Sequence, residues 1–181
     1  MKMLPATSVV LASLAFLGAC GSPPRYIEPG GTESVVSVGE VDIQDIKKAA
    51  AELLDSLLKT GVLKRSQRQP PELMIGNIEN NSSSKWDIGE LTGRMREHIV
   101  NSGQALTATP DEVKRRMFFD PTYLPDYTLT GKITYIKRQA GRIRQTTYTF
   151  SLTLTDPSTG MEVWTKTDDL TKQGTKSGIG F

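Results

Sequence analysis

The chain has 181 residues, 37% of them hydrophobic and 23% charged, with a formal net charge of +2. That is the size of one domain plus an appendage; the composition excludes wholesale disorder and collagen-like order, and so small a charge is no argument for nucleic acid. Cys20, the single cysteine, excludes an internal disulfide framework and any cysteine-rich zinc site, while His98, the single histidine, would alone have to carry any His-based metal cluster or Ser-His-Asp triad.

Residues 1–19 read as an export signal. Lys2 supplies a positive start, and an apolar stretch from Pro5 to Phe16 follows. At about a dozen residues it suits a signal h-region and is short of the roughly 20 that a spanning helix needs. It closes on Leu17-Gly18-Ala19-Cys20, followed by Gly21 and Ser22. Leucine, then small residues, then cysteine resembles the bacterial lipobox, in which the cysteine is lipidated and becomes the new N-terminus. The thiolate is the nucleophile for lipid transfer, and several acyl chains at about 0.8 kcal/mol per buried CH₂ hold a domain on a bilayer. Gly21, where an aspartate would signal inner-membrane retention, implies the outer membrane and a periplasm-facing chain. Residues 20–40, rich in Gly, Ser and Pro, read as a flexible tether. Val35, Val36 and Val38 form a short strand or dock on the domain.

The folded part is expected over residues 41–172, with 173–181 a tail. Asp42 can cap a helix that Gly61 ends, and between them Ile43, Ile46, Ala49, Ala50, Leu53, Leu54, Leu57 and Leu58 make one apolar stripe. Asp55 and Lys59 are spaced for an i,i+4 pair. After Pro70-Pro71, Leu73–Ile78 reads as a buried strand, and the polar run Asn80–Ser84 as a loop. A second helix starts at Asp87, with Glu90 as its capping-box partner; its stripe is Ile88, Leu91, Met95 and Ile99, and Gly103 closes it. His98 adjoins that stripe as a core-edge side chain. Ala105–Ala108 is a short strand and Pro110–Met117 a brief helix. Tyr127–Lys137 and Arg144–Thr155 are alternating strands joined by a turn at Ala140-Gly141. Tyr148, Phe150, Leu152 and Leu154 face inward, and the intervening Thr and Ser face solvent. A turn over Asp156–Gly160 leads into a strand Met161–Thr167, with Val163 and Trp164 on opposite faces. The class is α+β, with helices packed on one face of a largely antiparallel sheet.

The order of these elements, with Asp126-Tyr127-Thr128-Leu129-Thr130-Gly131 and the hairpin run Leu154-Thr155-Asp156-Pro157-Ser158-Thr159-Gly160-Met161-Glu162-Val163-Trp164, resembles the penicillin-binding-protein activator LpoB family of outer-membrane lipoproteins. The likeness covers the lipobox and most of residues 35–172. It implies a lipoprotein that binds and activates a bifunctional peptidoglycan synthase in the periplasm, with lipid on Cys20. The tether is short for that family, reaching roughly 70 Å at most.

No phosphate-binding glycine loop, dinucleotide fingerprint, nucleophile elbow or zinc-protease motif occurs. Asp42 with Asp45, and Asp168 with Asp169, read as a helix cap and a solvated strand end. The expectation is therefore a non-enzyme with no catalytic residue, metal, cofactor or small-molecule substrate. Basic residues cluster at Lys64-Arg65 with Arg68, at Lys114-Arg115-Arg116, and at Lys137, Arg138, Arg142 and Arg144. They are either solvated loop charges or, at the Lys137–Arg144 hairpin tip, a contact for an acidic surface on a partner enzyme. The competing function is an accessory lipoprotein of a curli-like or flagellar secretion assembly. The Thr-rich outward faces of the strands argue against a pore, which needs an apolar lipid-facing side.

Overall fold

The computed structural model describes residues 41–175. The expected export signal, Cys20, the expected tether and residues 176–181 lie outside the described residues. Helix α1 spans Ile43–Lys59; Asp42 caps it by accepting the backbone N–H groups of Gln44 and Asp45, and Asp45 returns the bond to close the capping box. Its expected stripe is buried from Ile46 to Leu58, and each buried leucine contributes about 1.5–3 kcal/mol. Gly61, at φ +71°, turns the chain into a short 3₁₀ segment, Val62–Arg65.

Strand β1 (Glu72–Asn80) leads to helix α2 (Ile88–Asn101), β2 (Leu106–Ala108) and helix α3 (Pro110–Phe119). Strands β3 (Tyr127–Ala140), β4 (Ile143–Asp156) and β5 (Met161–Thr175) complete a single sheet of order β2-β1-β3-β4-β5. The long β3–β4 and β4–β5 ladders are antiparallel; β1 runs parallel to both β2 and β3. The α+β class with a largely antiparallel sheet is as the sequence implies, and α1 and α2 cover one face. The chain steps from β1 to β2 in one direction and from β2 back across β1 to β3 in the other. With right-handed crossovers, that reversal puts α3 on the second face. Glu72 confirms the side: it alternates with the core residue Leu73 and its carboxylate meets Arg116 of α3.

The core joins α1, α2 and the inner sheet face through Leu54, Leu57, Leu91, Met95, Leu129, Ile133, Tyr148, Phe150, Leu152 and Leu154. The expected face assignment of β4 therefore holds. On its other face Thr147 and Thr153 are within hydrogen-bond distance of Thr171 and Thr165 of β5, and Thr149 donates to Asp169.

Three local expectations change. Asp55 pairs with His98 of α2, Nε2 to Oδ1 at 2.8 Å, rather than with Lys59, so the lone histidine ties two helices together at the core edge. Glu90 turns to Lys47 of α1, leaving Asp87 to cap α2 alone by accepting the Glu90 N–H. Val163 and Trp164 both pack against the core because a bulge opposite Leu154–Thr155 inserts one extra residue and breaks the alternation.

Candidate functional site

Both motifs that carry the family resemblance build the fold. Asp126 precedes β3, and its carboxylate accepts the Ser66 hydroxyl through Oδ1 and the Glu72 backbone N–H through Oδ2, each at 2.7 Å. The next residue, Tyr127, donates its hydroxyl to the Val62 carbonyl at 3.2 Å. Leu129 is fully buried. At Gly131 an added Cβ would stand 2.8 Å from the ends of the Ile78 and Leu152 side chains and 3.0 Å from the Ser151 carbonyl oxygen, so β1, β3 and β4 pack closely around a residue with no side chain. The segment from Asp126 to Gly131 is thus the joint between the 3₁₀ segment, β1 and β3.

In the second motif Asp156 accepts both the Ser158 N–H and its hydroxyl, and its carbonyl accepts the Gly160 N–H. The Ser158 hydroxyl and N–H hold the Asp156 carboxyl below the usual carboxylate range. Gly160 supplies the positive φ, +72°, that the turn into β5 requires.

The basic clusters divide. Arg68 and Arg116 are structural, because both reach Glu72, a carboxylate in a residue only 5% exposed. Tyr123 donates its hydroxyl to the same carboxylate and receives a hydrogen bond from Arg116. A buried carboxylate without such partners would be costly. Lys64, Arg65, Lys114 and Arg115 stay exposed.

Lys137, Arg138, Arg142 and Arg144 all lie on the expected hairpin, which is longer than its sequence signal. β3 and β4 remain paired to Ala140 and Ile143, the turn is at Gly141-Arg142, and β5 accompanies β4 to Thr175. β1 ends opposite Ile133, so the arm runs on past it for about 20 Å. The four cations are exposed but do not form one patch. Register places Lys137 and Arg144 on the helix side, Lys137 lying over the Tyr135 ring at 5.5 Å. Arg138 shares the opposite side with Ile136 and Ile143, and Arg142 sits at the tip. Ile136 is 59% exposed, which gives that side an apolar centre. Of the acidic pairs, Asp42 and Asp45 cap α1 as expected, and Asp45 also meets Lys172; Asp168 and Asp169 are not a strand end but lie in the middle of β5, paired with β4, where Asp169 accepts Thr149.

Two features escaped the sequence reading. An open groove of about 730 Å³ runs between α1 and α2, floored by Ala50, Leu54 and Met95 and bridged by the Asp55–His98 pair. At the end of α3, Phe118 and Phe119 are 81% and 85% exposed. Their adjacency was the available signal, since neighbouring helical positions cannot both face one core. Among the described residues no helix is long and apolar enough to cross a membrane, and no group of three or more His, Cys, Asp or Glu side chains is placed to hold a metal ion.

The family model described as peptidoglycan-synthase activator LpoB matches residues 45–118 and 121–170. Among solved structures, the chain is similar to the LpoB C-terminal domain from Salmonella enterica at 13% identity and a TM-score of 0.47, covering 70% of this chain and 98% of that one. It is similar to the LpoB C-terminal domain from Escherichia coli at 10% identity and a TM-score of 0.45, covering 67% and 97%. Lipoprotein GNA1162 from Neisseria meningitidis matches at 13% identity and a TM-score of 0.40, covering 61% and 88%. No curated protein matches the sequence.

Proposed function

The chain belongs to the peptidoglycan-synthase activator LpoB family, and from that membership we propose that it binds and activates a bifunctional penicillin-binding protein without catalysing any reaction itself. The observation that carries this reading is the family match across α1, α2, most of α3 and the β-sheet. We further propose that residues 1–19 are removed, that Cys20 carries the lipid, and that residues 20–40 tether the 41–172 domain to the outer membrane from its periplasmic side. A fatty-acid label incorporated equally by a Cys20→Ser variant would contradict that anchor.

The contact we assign to the synthase is the β3–β4 arm. Its cations lie on both sides and at the tip, so they suit an acidic cleft that surrounds the arm better than a flat acidic face. Paired charges of this kind steer association and set orientation more than they add affinity. Pull-down from detergent-solubilised envelopes with the full-length protein tests the binding; recovery of a bifunctional synthase is the expected result.

A further inference from the structure

We propose that residues 34–38, which lie outside the described residues, dock on the open edge of β5 as a sixth, parallel strand, so that the tether leaves the domain at the end opposite the arm. The docking goes beyond the activator reading and holds whether or not the partner is a synthase; the orientation it gives the arm rests on lipid at Cys20.

Among the described residues β5 is the last strand of the sheet. The β3–β4 hairpin closes on the pair Ala140 and Ile143, and Ile133 gives its carbonyl to Asn81 on the β1 side. By the alternation of an antiparallel ladder, the even-numbered residues of β4 then bond to β5. The backbone groups of Thr165, Thr167, Asp169, Thr171 and Gln173 therefore point away from β4. Such a row is a template for another strand. On the helix side of β5, Trp164 and Leu170 are only partly buried, as is Ile43 in the first turn of α1.

The path of the chain selects the occupant. Val41 is 3% exposed and Asp45 holds Lys172 at 2.5 Å, so the chain enters the domain beside the later part of β5. Val35, Val36 and Val38 stand just before that entry, with Gly39 to turn the chain, and β-branched residues suit a strand. Val36 and Val38 share one face, which covers Leu170 and Ile43; Val35 and Ser37 then join the threonines of the other face. Linked to α1 only by residues 39–42, the segment meets the edge at an effective concentration on the order of millimolar. A second copy of this chain has no such advantage.

Topology sets the direction. α1 starts beside Lys172 and leads to Val62, whose carbonyl receives the Tyr127 hydroxyl at the head of β3, so it runs antiparallel to β5. A strand that leads into it along the edge runs parallel to β5. The unit from that strand through α1 to β1 crosses the sheet in the same direction as β1–α2–β2, with its helix on the same face. Both crossovers then share the right hand that parallel units take. Residue 34 comes to lie near the start of β5, and residues 20–33 reach about 50 Å from there at most. With lipid on Cys20, the arm points away from the membrane.

The test uses the full-length protein in detergent at two concentrations, with amide hydrogen exchange read by NMR. Val35→Pro with Val36→Pro should speed exchange at Thr167, Asp169 and Thr171 at least tenfold. Leu129 and Phe150 should stay protected, because α1 and the core are untouched. In a second experiment the photo-crosslinker p-benzoylphenylalanine replaces Thr32, and the expected adduct is within the same molecule, at residues 157–164. Edge exchange that ignores the prolines overturns the docking, and protection lost on dilution gives the edge to a second copy and overturns it too. An adduct to the arm or to another molecule, or no adduct, overturns the direction. None of these readings involves a synthase, so they stand or fall apart from the activator reading.

Discussion

Asp126 accepts the backbone N–H of Glu72 at 2.7 Å, so a side chain at the head of β3 completes the hydrogen bonding at the head of β1. β1 and β3 are parallel neighbours separated in sequence by two helices and β2, and this bond sets their common starting level. The same carboxylate holds Ser66, and Glu72 in turn gathers Arg68, Arg116 and Tyr123. A family-like motif here secures the sheet.

Asp126→Ala should therefore destabilise the domain by about 1–3 kcal/mol, the cost of leaving a buried donor unpaired. Asp126→Asn keeps one carbonyl acceptor and should lose less. Urea midpoints of the two variants provide the comparison, and an Asp126→Ala midpoint equal to that of the parent would contradict the role.

Two glycines make opposite demands. Gly131→Ala drives a methyl to 2.8 Å from Ile78 and Leu152 and should cost about 1–3 kcal/mol by overpacking. Gly93, inside α2, has only the end of Arg96 within 4.0 Å. Gly93→Ala should stabilise the protein by about 0.5–1 kcal/mol through helix propensity. Thermal melts should move in opposite directions for the two variants.

The parts of this fold that sequence reading recovers are those whose signal is local and periodic. The α1 stripe repeats with the helical period, and β4 alternates from Tyr148 to Leu154, so both faces could be assigned. β5 escapes beyond Thr167 because Asp168, Asp169 and Lys172 interrupt any apolar alternation; pairing with β4 keeps it a strand. The bulge at Val163 has no local mark and inverts the expected parity. Arg68 and Arg116 read as loop charges because they meet at Glu72, which lies 44 residues from Arg116. Of the candidate contacts, the hairpin cations were visible as residues, but their division between two sides follows only from the register.

Stability should fall on both sides of neutral pH. Hydrogen bonds hold three carboxyls below their usual range: Glu112 through the Thr109 N–H, Asp120 through the Thr122 hydroxyl, and Asp156 through the Ser158 hydroxyl. Their contribution is present above the ordinary carboxylate range, about pH 4, and is lost as pH drops through their folded values. Burial raises Tyr123 and Tyr127. The fold favours the neutral phenols, so that contribution is complete below about pH 10 and is lost as pH rises toward their folded values. Urea midpoints across this range should show a plateau with two falling limbs, and Asp156→Asn should shallow the acidic one. A midpoint that climbs on acidification would contradict the assignment.

Reversing charge at the arm separates binding from folding. Arg142→Glu with Arg144→Glu removes no buried contact, so stability should stay within about 0.5 kcal/mol. Affinity for an acidic partner should fall, and the parent's binding should weaken as salt rises because exposed charges are screened. Calorimetric titration at two salt concentrations reads both effects; salt-independent binding unaffected by the reversal would remove the arm from the interface.

The central claim is activation of a synthase by a non-catalytic domain. The direct measurement is the rate of glycan polymerisation by each bifunctional synthase of the same organism, with and without the purified full-length protein in detergent. The account predicts a higher rate for at least one synthase and no turnover of lipid-linked precursor by this protein alone. If every synthase ignores it while a secretion or flagellar component co-purifies with it, the activator reading is contradicted.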